Sequence, residues 1–353
     1  MAGEIIKIIN MASFGSDEHR YGEQGDPATT EDAKLAQLEV PGPSKLYFSW
    51  EKGHWSVGAL DFAHDRQDWA NLREDQRSLV IGALAPFFAG EERVANTFGP
   101  IMMSGTDDSE LAFLATQQVD EVRHMQFCDR FWREVFMTDA KHRSTAIQDA
   151  EERCNTAFTQ LFDQRLKDAV ECLRRSPTDV EAKIEAITIY HLIVEGVLAV
   201  TAMHFVLDYF EKRSILPALT EGLQNTKRDE HRHIAFGTWY LRQKCREEDR
   251  YGFLVQRTLM ELMPVAAAIV VPGGTGACDG LDPVEFLDYP SALVSQYALT
   301  ALSRRLKVIG GATQEIQQFA ASGAWRAARM LEAQSGTSVD TVESSSASPR
   351  RSF

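Results

Sequence analysis

Apolar positions recur at steps of three and four along most of the chain, and strand-like alternation is nearly absent. The helical period is strong from Asp68 onward. Val80, Leu84, Phe87, Glu91, Val94 and Phe98 fall on one stripe. A second stretch, Asp107 to Met137, sets Leu114, Gln118, Glu121, His124, Cys128 and Phe131 on one face. Residues 149–175 read as a connecting helix ended by Ser176-Pro177. Thr178 to Lys212 aligns Ile184, Thr188, His191, Glu195, Leu198 and Ala202, and Ile215 to Lys244 places Glu230 and His233 on one side. Further helices are predicted at 250–268, 291–309 and 313–333, with the loop Pro272-Gly273-Gly274-Thr275-Gly276 after the first. The fold class is therefore all-α with long helices. Residues 1–43 mix Gly, Asp, Glu and Pro with weak periodicity and read as an N-terminal extension. Residues 335–353 are Ser-rich, lack an apolar face and are expected to be disordered.

The polar residues on these apolar stripes carry the chemistry. Two Glu-x-x-His units lie on these stripes, Glu121-Val-Arg-His124 and Glu230-His-Arg-His233, each with a lone carboxylate upstream, Glu91 and Glu195. In a helix, residues three apart share a face, so each unit sets an oxygen and a nitrogen on one side. A lone Glu from each of two helices plus Glu-x-x-His from each of two others is the ligand set of ferritin-like dimetal carboxylate bundles. Carboxylate and imidazole together suit iron, manganese or zinc. A His-Glu-x-x-His zinc hydrolase motif is absent. Glu91 is preferred over its neighbour Glu92 because its stripe is bulkier and more apolar. Asp120 and Asp229 each precede the Glu of a unit. Each is either a surface Asp or the carboxylate that orients a metal-bound imidazole, in a crossed pairing with the other unit's His. His191, four residues before Glu195, reads as a satisfied core histidine.

Bulk properties narrow the partners. The chain has 353 residues, 44% of them hydrophobic, enough for one large helical domain. A formal net charge of −14 disfavours nucleic acid and anionic membrane surfaces. Five cysteines without a Cys-x-x-Cys pair give neither a disulfide framework nor a thiolate zinc site. The N-terminus lacks a secretory apolar core. The most apolar run, Met263 to Val271, contains Pro264 and is too short to span a bilayer. These features predict a soluble cytoplasmic protein without stable membrane insertion.

Three stretches resemble the small subunit of class I ribonucleotide reductase, and more closely its offshoot, the ligand-binding oxidases: Phe88-Ala-Gly-Glu-Glu-Arg-Val94, Tyr190-His-Leu-Ile-Val-Glu-Gly196 and Arg228-Asp-Glu-His-Arg-His-Ile-Ala-Phe-Gly237. Asp61 to Trp69 adds to the likeness. It spans about residues 44–310, which it implies form a ferritin-like dimetal carboxylate domain with extra helices. Residues 311–353 are left as a C-terminal helix and tail. The resemblance implies one manganese and one iron (two irons being possible), oxygen activation and a homodimer. It further implies a long-chain fatty acid whose carboxylate bridges the metals. Glu91, Glu121 and His124 would form the manganese side, and Glu195, Glu230 and His233 the iron side, with Glu121 and Glu230 able to bridge.

The same resemblance implies an ether cross-link between Val94 and Tyr190. Val94 shares a face with Glu91. Tyr190 stands five residues before Glu195, about 140° away around an ideal helix, and would need a distorted turn to reach the site. Four residues past His124, where tyrosyl-radical reductase subunits keep a Tyr, this chain has Cys128, which excludes a stable tyrosyl radical there. Residues 335–353 contain no Tyr or Trp, only Phe353, which argues against a radical-relaying tail. The expected function is an oxygen-activating oxidase acting on C–H bonds. The rivals are a reductase small subunit lacking the tyrosyl radical and a ferritin-like iron store, for which the chain is too long.

Overall fold

The computed structural model describes residues 35, 37–136, 148–270 and 285–310. Among them the architecture is helical: α1 (Pro43–Glu51), α2 (Ala63–Asn71), α3 (Glu74–Thr97), α4 (Gly99–Met103) and α5 (Asp108–Phe131) come first. Helix α6 runs from Thr156 to Arg175 and α7 from Val180 to Arg213, each with a π-helical stretch inside. Helices α8 (Pro217–Glu247), α9 (Asp249–Val270) and α10 (Ser291–Ile309) follow. The only strands among the described residues form a two-residue hairpin, β1 (Glu285–Phe286) against β2 (Tyr289–Pro290). The expected 313–333 helix, the 272–276 loop and the disordered tail lie outside the described residues.

Helix starts follow the sequence. Asp107 caps α5 by accepting from the Ser109 and Glu110 amides, and Asp179 does the same at Glu181 and Ala182 of α7. Helix α8 begins differently. Its N-cap, Leu216, has left-handed backbone (φ 53°) and no capping side chain. Donors are instead satisfied from α2: Asp68 accepts from Leu216 N, and buried Asp65 accepts from Ala218 N and Leu219 N. A carboxylate 153 residues upstream in sequence therefore fixes where the second Glu-x-x-His helix starts.

Helices α3, α5, α7 and α8 form the bundle that surrounds the buried polar cluster, and α1 packs across α5 and α8. The central part of α7 is buried on every side, Thr188 to Leu198 without exception. A helix apolar all round belongs in the middle of a core. By length and composition α7 and α9 are apolar enough to cross a membrane, but 89% of the α7 window is buried in protein.

Candidate metal centre

The four bundle helices bring six side chains to one buried point. Glu91 comes from α3, Glu121 and His124 from α5, Glu195 from α7, and Glu230 and His233 from α8; each is at most 5% exposed. They form two overlapping clusters: Glu91, Glu121, His124 and Glu230, and Glu121, Glu195, Glu230 and His233, with ligand atoms within 4.8 Å of one another in each. Glu121 and Glu230 belong to both. His124 Nδ1 is 3.6 Å from Glu91 and 3.4 Å from Glu230, and His233 Nδ1 is 3.4 Å from Glu121 and from Glu195. Glu92 turns away from the cluster to Arg93 and Asn96.

The residues fit a pair of metal ions. One oxygen of each of Glu91, Glu121, Glu195 and Glu230, and Nδ1 of both histidines, are buried without a hydrogen-bond partner. Buried polar atoms are rarely left so, and six pointing into one space mark what a cation would satisfy. The titration pattern agrees. Burial and the neighbouring Glu230 charge push Glu121 up to about 7, and burial raises Glu91 and Glu195. Burial opposes charge on His124 and His233. Hydrogen bonds to Asp229 and Asp120 respectively, and the charges of the facing Glu91 and Glu195, outweigh it and raise both. Without metal the cluster holds protons; with metal it exchanges them for cations.

The far side of each imidazole is held by the opposite half of the chain. His124 Nε2 faces Asp229 Oδ2 at 3.2 Å, and His233 Nε2 faces Asp120 Oδ2 at 3.2 Å. This is the crossed pairing. The indole N–H of Trp55 donates to Asp229 (2.7 Å) and that of Trp50 to Asp120 (2.9 Å). Arg232 donates to both aspartates, at 2.6 and 3.0 Å, and Arg123 to Asp120 at 2.7 Å. An imidazole so anchored presents Nδ1 to the metal space in a fixed orientation. The sequence reading missed the two arginines and two tryptophans. A signal for the arginines was present: both units are Asp-Glu-x-Arg-His, at 120–124 and 229–233. Nothing in the sequence marks the tryptophans.

Helix α7 resolves the awkward spacing of Tyr190. From Thr188 to Ala199 it is π-helical, with hydrogen bonds reaching five residues rather than four. Residues five apart then lie nearly over one another, so Tyr190 and Glu195 share a face. The Tyr190 hydroxyl is buried without a hydrogen-bond partner. Burial and the Glu121, Glu195 and Glu230 carboxylates raise it well above the ordinary phenol value. His191 stands behind the carboxylate cluster. Its Nε2 meets Gln117 Oε1 at 3.1 Å, and Gln117 Nε2 donates to Glu195 at 2.9 Å. Burial holds His191 down to about 3 and so neutral. Gly237 of α8 makes room for it: a Cβ there would lie 2.3 Å from the His191 Cβ.

A cavity of about 300 Å³ reaches the centre. Glu91, Glu121, Glu195 and Glu230 close its inner end, Val94 and Leu198 line it, and exposed Ser78 and Arg153 stand at its outer part. Of the aromatic side chains near the cluster, Phe87 lines the cavity. Phe98 and Phe236 do not; they pack on Tyr190 and His191, and on Phe113 and His191. Cys128 is buried on α5, its thiol raised by burial and by Glu91.

The family model of the ribonucleotide reductase small chain matches residues 33–312. Solved structures with the same fold include an R2-like ligand-binding oxidase with aerobically reconstituted Mn/Fe cofactor. It shares 24% identity at a TM-score of 0.65, over 77% of this chain and 94% of that one. A point mutant of an R2-like ligand-binding oxidase, anaerobically reconstituted with Mn/Fe, matches at 24% identity and TM-score 0.65, over 81% and 99% of the two chains. An aerobically reconstituted mutant matches at 23% and 0.65, over 83% and 100%. Identities at this level establish the shared fold.

Proposed function

The chain belongs to the ribonucleotide reductase small-chain family, and from that premise we propose that it is an oxygen-activating, ligand-binding oxidase with one manganese and one iron. The observation that carries this reading is the apolar cavity opening onto the four carboxylates. A subunit that only stores a radical has no use for such a space. Its volume lies at the lower end of the range for small-molecule sites, and its walls suit an aliphatic chain with an acidic head toward the metals. A long-chain fatty acid is the ligand class that fits.

Glu91 and His124 would hold the first metal and Glu195 and His233 the second, with Glu121 and Glu230 shared between the two clusters. When bound, the pair supplies the redox equivalents for reducing O2 and oxidising an unactivated C–H bond. The protein's part is charge and exclusion. Four ionised glutamates would neutralise two divalent ions, and an exogenous carboxylate would offset the charge gained on oxidation. Val94 on the cavity wall and Tyr190 among the carboxylates are the pair to be joined. The C–O bond replaces a valine C–H and the phenol O–H, with loss of two hydrogens to O2. Buried Cys128, in place of a tyrosine, favours two-electron oxidation over radical storage.

The reading carries with it a cytoplasmic homodimer. Exposed Leu111, Val119 and Val122 on α5, with Phe48 on α1, give an apolar stripe that a second copy would cover. The alternative reading, a reductase small subunit without a tyrosyl radical, keeps the family and leaves the cavity unused.

The test is peptide mass after aerobic reconstitution with both metals. A joined Val94–Tyr190 peptide pair lighter by two hydrogens, together with a long-chain carboxylic acid extracted from the protein, supports the oxidase. Unlinked peptides after oxygen exposure, or nucleotide reduction on pairing with a large subunit, would replace it with the alternative.

A further inference from the structure

The carboxylate that α7 contributes sits on a helix of unusual pitch. Between Thr188 and Ala199 the backbone bonds five residues back, and from Val200 to Arg213 four back. Where the wide ladder gives way to the narrow one, a carbonyl is passed over. Here it is Gly196, directly after Glu195: the Val200 N–H is directed to the carbonyls of Glu195 and Val197. Gly196 is buried, and an unpaired carbonyl in an apolar interior is costly.

Arg305 of α10 supplies the donor. Its Nη1 lies 2.5 Å from the Gly196 oxygen, and its side chain is carried inside the protein at 9% exposure. The absence of a Cβ at Gly196 spares the His191 carbonyl, which one would meet at 2.8 Å. Burying a guanidinium against a neutral carbonyl is a poor exchange for stability alone. A structural ion pair would use a carboxylate, as Lys183 does with Glu110.

We infer that Arg305 is a positioning residue that holds the π-helical register of Thr188–Ala199, and through it keeps Glu195 and Tyr190 on the face that meets the metals. The inference rests on the dimetal reading above. In the π register residues 190 and 195 stack; in an α-helix they part by about 140°. Without its donor the Gly196 carbonyl is orphaned, and the segment relieves it by shifting or tightening the wide turn. Glu195 or Tyr190 then swings away. The first metal position takes its ligands from α3, α5 and α8 and does not use this segment. The loss therefore falls on the second position.

The variants are Arg305→Met, which keeps bulk without a donor, and Arg305→Lys, which keeps a charge and a donor. The chelated full-length protein is titrated with Mn²⁺ alone, with free and bound ion counted by electron paramagnetic resonance. The parent is expected to take two ions per chain. The Met variant should take the first with parental affinity and the second roughly 10–100-fold more weakly, with Lys recovering part of the loss. Amide hydrogen exchange on the metal-free protein is the independent readout: peptides over 188–200 should exchange faster in the Met variant, and those of α3 should not. Arg305→Gln carries both measurements if the Met variant does not fold. Two ions bound with unchanged affinity and unchanged exchange would overturn the inference. A parent that binds fewer than two ions sinks the dimetal reading instead, and the exchange result then decides the role of Arg305 by itself.

Discussion

Replacing Asp229 by Asn should weaken the metal position that contains His124, although Asp229 adjoins Glu230 and His233 in sequence. Three donors converge on this carboxylate: Trp55 Nε1 at 2.7 Å, Arg232 Nη2 at 2.6 Å and the His124 ring nitrogen at 3.2 Å. Asn keeps the shape but turns one acceptor into an NH₂ group, which must then face a donor. Arg232 retains Asp120 at 3.0 Å, so the guanidinium is not stranded. The imidazole has no second anchor on that side. Loss of such an anchor typically costs about 10–100-fold in metal affinity, or about 1.4–2.7 kcal/mol. Asp120→Asn is the mirror experiment, because Asp120 holds His233. Anomalous diffraction from Mn²⁺-loaded crystals reads the occupancy of each position separately, and calorimetry gives the affinities. Asp229→Asn should empty the Glu91–His124 position and Asp120→Asn the Glu195–His233 position. Equal losses at both positions in each variant, or the uncrossed pattern, would refute the reasoning.

Metal-free protein should lose thermal stability as pH rises from 5 to 8. Glu121, raised to about 7 from an ordinary 4.5, and Glu91, Glu195, His124 and His233, also raised, bind protons more tightly folded than unfolded. Their contribution is full below the unfolded values and is lost as pH climbs through the folded ones. The neighbouring imidazoles outweigh burial and lower Asp229 and Glu230, whose contribution is lost only on acidification below about pH 4. A metal-free melting temperature that increases over pH 5–8 would contradict this; the metal-loaded curve should be flatter. Gly82 lines the cavity from α3, and a Cβ there meets nothing within 4 Å. Gly82→Leu should therefore stabilise the helix by about 0.8 kcal/mol while displacing the bound acid, which melting and lipid extraction measure together. Gly237→Ala, whose Cβ would press on His191, should destabilise by about 1–3 kcal/mol and reduce binding at the position containing Glu195. A parental melting temperature and two-metal stoichiometry would remove the role assigned to His191 and Gln117.

The sequence alone determined which residues meet. Glu91, Glu121, His124, Glu195, Glu230 and His233 are polar residues on apolar stripes at helical spacing, and a helical period leaves such residues one place to point. That argument is local, because each stripe fixes its own inward face. It carried the helical fold, the two Glu-x-x-His units and the choice of Glu91 over Glu92. What it could not reach was non-local. Asp229 against His124 and Asp120 against His233 depend on how α5 crosses α8. Trp50 and Trp55 reach those aspartates because α1 packs across both helices. The π-helical stretch that turns Tyr190 toward Glu195 breaks the ideal period on which the sequence reading relied, and it does so with a buried donor from Arg305, more than a hundred residues away. Periodicity reports the face a side chain takes while the backbone stays regular. Packing between distant helices decides where it does not, and in this chain that happens beside the buried carboxylate–histidine cluster.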